Sequence, residues 1–268
     1  MRGVTATRLR TPEGRVRIEG PSRWDAWWIE PALVVAYLGL FIVYSTWAAV
    51  QNAHYYAAPY LSPFYSPCLS TDCQHVTLPL LGKMPSLPIV GVISPAFLIL
   101  WIPAAFRLTC YYYRKAYYRS FWGAPPSCAV SDVRAGYTGE TRFPLIFQNL
   151  HRYAFYLAVL ILLVLVYDAL LAFSFGGRFG LGVGTLVMWA NVVLLAGYTF
   201  SCHSCRHLCG GRLNEFSKSP TRYKLWQVVT RANERHALLA WLSLSSVGLT
   251  DLYIRLVSMG VIRDLRIF

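Results

Sequence analysis

Long apolar runs alternate with polar and basic connections along this 268-residue chain. The runs cover about 32–50, 89–109, 153–173, 181–201 and 237–257. Each is close to the ~20 residues that a helix needs to cross the hydrocarbon core. Only helices and closed barrels satisfy every backbone polar group in lipid, and runs this long are helices. The pattern predicts an all-α membrane protein, a five-transmembrane-helix bundle forming one domain over 1–268. Pro95 and Pro103 fall inside the second run. Residues 1–31 read as a polar, basic arm. They lack the short apolar core and small-residue cleavage site of a signal peptide.

Two connections are more than links. Segment 51–88 is too long for a simple turn. It carries Tyr55, Tyr56, Pro59, Tyr60, Pro63, Tyr65 and Pro67, and is expected to fold over one mouth of the bundle. Segment 110–122 mixes aromatic and basic residues, the composition of a membrane interface or of a docking surface.

Charge orients the bundle. The chain has 25 Lys and Arg against 12 Asp and Glu, a net charge of +13. Basic residues concentrate in three places: the N-terminal arm (Arg2, Arg8, Arg10, Arg15, Arg17, Arg23), the second-to-third loop (Arg114, Lys115, Arg119, Arg134, Arg142) and the fourth-to-fifth loop (Arg206, Arg212, Lys218, Arg222, Lys224, Arg231, Arg235). The opposite loops carry Lys83 and Arg178, and the tail adds Arg263 and Arg266. The positive-inside bias then puts the N-terminus in the cytoplasm and the C-terminus outside. The charge calls for no nucleic acid. It suits anionic lipid or an acidic soluble subunit. Cys68 and Cys73 fall on the outer, oxidising side, where a disulfide is expected rather than a metal site.

The densest chemistry is Cys202-His203-Ser204-Cys205-Arg206-His207-Leu208-Cys209, at the inner end of the fourth run. If the helix continues through it, Cys202, Cys205 and Cys209 share one face and His203 and His207 another. Gly210-Gly211 is a natural stop. His151 opens the third run, His236 opens the fifth and Cys110 closes the second, all at the same depth. Three centres could use such ligands. A structural zinc suits Cys202-x-x-Cys205. A b-type haem needs two facing imidazoles and leaves the thiols unexplained. A Rieske-type 2Fe–2S centre uses two Cys and two His.

Several strings carry a resemblance. Ser204-Cys205-Arg206-His207-Leu208 is similar to the Gly-Ile-Arg-His-Leu segment of the cytochrome b (C) subunit of succinate dehydrogenase, respiratory complex II. In many of those subunits a haem-binding His stands four residues before the Gly, where this chain has Phe200. Segments 54–67, 113–122 and 147–152, with the Cys/His run, resemble the five-helix membrane anchor of actinobacterial, mycobacterial Sdh1-type succinate dehydrogenase. That resemblance implies a flavoprotein subunit, an iron–sulfur subunit and this anchor. It also implies a membrane-embedded Rieske-type 2Fe–2S cluster in place of haem, and reduction of a quinone (menaquinone or ubiquinone). The dicarboxylate chemistry belongs to a partner subunit.

Carried onto this chain, the helical wheel favours Cys205 and Cys209 as thiolates, with His151 and His236 as imidazoles. His207, His203 and Cys202 stand in reserve. Arg152, Arg206, Tyr112 and Tyr153 lie at the right depth to meet a quinone, or lipid headgroups. Asp251 and Arg255 are spaced to pair on one helix, and Asp168 is a further carboxyl within a run. Two other readings stay open: a b-haem anchor of complex II or another respiratory dehydrogenase, and a non-redox scaffold or transporter with a zinc-stabilised loop.

Overall fold

The computed structural model describes residues 25–73, 80–87, 91–130, 139–211 and 214–268, with the backbone of two short strands at 8–10 and 16–18. Residue Ile89, His75, Arg134, Arg212 and the side chains of the N-terminal arginines lie outside them. The α-helices among the described residues are α1 (Ile29–Gln51), α2 (Phe97–Thr109), α3 (Tyr111–Phe121), α4 (His151–Leu171), α5 (Val183–Phe200), α6 (His203–Gly210), α7 (Pro220–Glu234) and α8 (His236–Ser258).

Helices α1, α5 and α8, and α4 with the 3₁₀ turn Leu145–Leu150 before it, are long and apolar enough to cross a membrane. The second run is different. Its helix, α2, has 13 residues, about 20 Å at 1.5 Å per residue, short of a ~30 Å hydrocarbon core. The reason lies in its first half. Gly91–Val92 pairs with Ser86–Leu87 as a hairpin. The helix begins only past Ser94-Pro95, where the Ser94 hydroxyl accepts the Ala96 N–H (3.3 Å).

Among the described residues the strands form two-stranded antiparallel pairs: β1–β2 (Arg8–Arg10, Val16–Ile18), β3–β4 (Tyr56–Ala57, Tyr60–Leu61), β5–β6 (Ser86–Leu87, Gly91–Val92) and β7–β8 (Ser174–Phe175, Arg178–Phe179). The last turns tightly through Gly176 and Gly177, both at positive φ, as a two-residue hairpin loop requires. Helix α8 packs on α5, α4 on α5 and α2, and α6 on α7.

The long connection after α1 does fold into one end of the bundle. Tyr55, Tyr60, Leu61, Phe64 and Tyr65 are all buried. Tyr55 and Tyr65 stack at 4.1 Å, and the Tyr65 hydroxyl donates to the last carbonyls of α1, Ala48 and Ala49 (2.9 and 3.0 Å). Cys68 and Cys73 are joined by a disulfide. At this end Asp251 and Arg255 pair (2.7 Å), both fully buried. Asp168 is also buried and accepts a hydrogen bond from Ser66. The Cys/His residues occupy the opposite end.

Candidate metal centre

The helix does not run through the Cys/His sequence. It ends at Phe200, and Cys202 is extended (φ −64°, ψ 148°) before α6 starts at His203. Tertiary contacts stabilise the break. Asn233 on α7 donates to the Ser201 carbonyl (2.7 Å), and the Cys202 sulfur accepts the Ser204 N–H (3.4 Å) as an N-cap. At the far end of α6 the Arg222 guanidinium takes the Cys209 carbonyl (3.2 Å) and the Gly211 carbonyl (3.1 Å). The single thiol face predicted from a continuous helix is therefore split. Cys205 and Cys209, one turn apart on α6, lie against each other. Cys202 faces elsewhere.

A matching break occurs at Cys110, extended (φ −63°, ψ 129°) between α2 and α3. The two breaks bring four side chains together with His151 at the start of α4 and His236 at the start of α8. Cys202 Sγ lies 2.9 Å from His151 Nε2. Cys110 Sγ lies 3.3 Å from His236 Nε2. Cys110 and Cys202 are close enough to interact electrostatically, as are His151 and His236. The thiols that reach the imidazoles are thus Cys202 and Cys110, in place of the expected Cys205 and Cys209.

The other ring nitrogens fix the tautomers. Thr109 donates its hydroxyl proton to the Ala105 carbonyl (2.7 Å), so its oxygen accepts from His151 Nδ1–H (2.9 Å). Ser201 donates to the Tyr198 carbonyl (3.1 Å) and accepts from His236 Nδ1–H (2.7 Å). Both imidazoles then present an Nε2 lone pair to a thiol. The hydroxyls play the part of the outer partners that orient metal-bound histidines. The contacts are crossed: Thr109-Cys110 grips His151 and meets His236, while Ser201-Cys202 grips His236 and meets His151. Burial pushes the Cys202 thiol up to about 12, so it keeps its proton unless a cation displaces it.

Replacing either hydroxyl frees one imidazole. On the reading that these side chains hold a metal, Thr109→Val and Ser201→Ala are each expected to weaken its retention about 10–100-fold. Metal content after dialysis against a graded chelator series measures it; wild-type retention would refute the orienting role.

Among the described residues no three His, Cys, Asp or Glu side chains converge on one point. The four side chains form two pairs, each one thiol with one imidazole. His203 and His207 are exposed. His207 accepts from Arg152 (3.1 Å). Arg206 donates to Thr230 (3.1 Å) and lies over the Trp226 ring. Tyr112 accepts the Trp241 indole N–H (2.6 Å). Tyr153 is exposed and borders a groove of about 550 Å³ with Thr109, Tyr117, Trp122 and Gln148. Of the four residues expected to meet a quinone, only Tyr153 lines that groove. Gln148 donates to the Tyr117 hydroxyl (2.7 Å), and its own Oε1 is buried without a partner. A signal for Cys110 was present in the sequence: a hydroxyl residue precedes a cysteine where both runs end, at Thr109-Cys110 and Ser201-Cys202.

The family model for actinobacterial succinate dehydrogenase subunit SdhC matches residues 29–260. A solved chain titled "Mycobacterium smegmatis Sdh1 complex in the apo form" is 49% identical, with 98% of this chain and 100% of that chain covered and a TM-score of 0.87. No curated protein matches. With the family model spanning most of its length and this solved chain matching from end to end, the protein belongs to the SdhC family of actinobacterial succinate dehydrogenase, as an Sdh1-type membrane-anchor subunit.

Proposed function

We propose that this subunit carries electrons from a docked iron–sulfur subunit to a membrane quinone through a 2Fe–2S centre held by His151, His236, Cys110 and Cys202. The observation that carries the reading is the crossed donor set. Two imidazoles of fixed tautomer and two thiols, from four different helix junctions, meet in two neighbouring thiol–imidazole pairs. Two nitrogens and two sulfurs are the donor set of a Rieske-type centre. Such a cluster supplies one-electron transfer at a higher potential than an all-cysteine one.

Around it the chain's own residues do the rest. Phe106 stacks on His151 (5.0 Å) and Tyr198 on His236 (5.1 Å), closing the site from water. Thr109 separates the site from the groove lined by Tyr117, Gln148 and Tyr153, where a quinone head entering sideways from lipid would sit. Gln148 lines that groove beside the Tyr117 hydroxyl to which it donates. The basic loops and α7 form the cytoplasmic face on which the iron–sulfur subunit docks, with the flavoprotein beyond it. The N-terminus lies on that same side, and anionic lipid surrounds it. Helix α2 is the fifth span, shortened and completed by the β5–β6 hairpin.

The test is metal analysis and EPR of the purified three-subunit complex. The iron–sulfur subunit contributes its own signals, so the informative spectrum is the difference between wild type and a His151→Ala variant. A reduced signal with the low average g of a His/Cys-ligated cluster, lost in the variant, is expected. A haem Soret band in its place, or stoichiometric zinc without added iron, would overturn the assignment.

A further inference from the structure

One side of helix α7 is committed to the protein. Arg222 caps the carbonyls at the end of α6. Thr230 accepts from Arg206, and Asn233 holds the Ser201 carbonyl. Val229 is buried. A side chain at Gly210 would collide with the Trp226 ring, so that ring sits directly on α6. Positions 222, 226, 229, 230 and 233 make one side of a helix with 3.6 residues per turn. They fix which side of α7 points outward.

The outward side carries Lys224, Leu225, Val228 and Arg231, all exposed, and the exposed Arg235 follows where the helix ends. Leu225 is 51% exposed and Val228 61%. On a wheel of about 100° per residue, Lys224 and Arg231 fall within about 20° of each other. Val228 and Leu225 lie together on one side of them. Glu234, the acid of this helix, lies on the other side.

This stripe stands where the apolar span ends. Only Arg235 separates α7 from α8, and α8 is long and apolar enough to cross a membrane. Leu238, in the first turn of α8, is already 55% exposed, as a lipid-facing residue is. Near the start of α7, Phe216, Tyr223 and Trp226 pack on one another with ring centres 5.0, 5.3 and 6.0 Å apart. Aromatic rings anchor a segment at headgroup level. Aliphatic side chains beside Lys and Arg on one helix edge are the composition of a helix lying in a membrane interface. The centre of a protein–protein interface is instead depleted of Lys.

We propose that the outward stripe of α7 lies on the bilayer surface and binds anionic phospholipid. Leu225 and Val228 enter the acyl boundary, while Lys224, Arg231 and Arg235 meet phosphate. The inference deepens the proposed function, because it gives anionic lipid a place on the chain. The stripe is then the rim at which the docking face meets the membrane. Each basic side chain near an anionic surface raises affinity about fivefold.

The test uses the assembled three-subunit complex in lipid nanodiscs, with a photocrosslinking benzophenone side chain in place of Val228. One set of discs is phosphatidylcholine, the other phosphatidylcholine mixed with phosphatidylglycerol. The expected product is a phospholipid adduct on this subunit, read by mass spectrometry. In the mixed discs phosphatidylglycerol exceeds its share of the lipid. Adding Lys224→Gln and Arg231→Gln is expected to cut that enrichment about fivefold for each charge, with subunit stoichiometry retained. An adduct with the iron–sulfur subunit would show that the stripe is a docking surface. Adducts in proportion to the lipid mixture would show apolar contact alone. Either result overturns the proposal, as does the absence of any adduct or an enrichment that survives the double substitution. The readouts do not depend on the metal centre, so failure of the iron–sulfur reading and failure of the lipid site are separate results.

Discussion

Replacing His151 and His236 together by Ala abolishes quinone reduction by the assembled complex, while succinate oxidation coupled to a soluble dye continues near the wild-type rate. The two imidazoles are half of the proposed donor set, and among the described residues no other His is hydrogen-bonded to Cys110 or Cys202. With both gone the site keeps two buried thiols, too few ligands for two metal ions. Electron delivery to the groove beside Thr109 then stops. In the proposed division of labour the dicarboxylate chemistry sits on the partner subunit, so the dye is expected still to take its electrons upstream. The difference EPR signal disappears with quinone reduction. Two controls separate this from general damage: subunit stoichiometry by size-exclusion chromatography, and dye reduction itself. Quinone reduction above a tenth of wild type, with no metal left at the site, would mean that electrons take another route.

The placement of these two histidines at one end of the bundle is readable from the sequence. Each opens an apolar run, and the basic loops put both at the same end as the Cys/His sequence. The thiol partners were less legible, for a physical reason. A helical wheel assumes that the backbone stays helical, and nothing between Leu195 and Cys205 is a Pro that would end it. The break at Ser201-Cys202 is held from outside, by Asn233 on the Ser201 carbonyl and by the start of α6. Tertiary contacts decided a local conformation that propensity left open. Cys110 stands out in the sequence by its depth alone; its pairing with His236 depends on the break between α2 and α3. The crossed use of Thr109 and Ser201 needed both breaks to be seen at once. Elsewhere the apolar pattern was a good guide. Four of the five runs became long helices, and the second was shortened by a hairpin that hydropathy alone cannot distinguish from helix. The pairing of Asp251 with Arg255, four residues apart on one helix, was also readable from spacing.

At the opposite end of the bundle, Arg255→Met destabilises the subunit by about 3–5 kcal/mol, the usual cost of leaving one member of a buried ion pair uncompensated. Arg255 is fully buried. Its guanidinium holds the Asp251 carboxylate (2.7 Å), the Gln51 side chain (2.6 Å) and the Ala53 and Ala48 carbonyls (2.7 and 2.8 Å). Asp251 in turn accepts from Tyr44 (2.6 Å) and from Ser62. One side chain therefore ties the end of α1, the connection that follows it and the body of α8. Thermal inactivation of the purified complex in detergent reads the loss as an earlier midpoint. The second variant makes the argument sharper. Asp251→Asn added to Arg255→Met removes the stranded charge, so the double variant should recover part of the midpoint. Strictly additive losses would show that the carboxylate and guanidinium act independently. Because the network sits at the far end from Cys110 and Cys202, the EPR signal of the surviving complex should keep its wild-type shape. A changed signal would mean that the packing of α8 carries the disturbance along its length to His236 at its first turn.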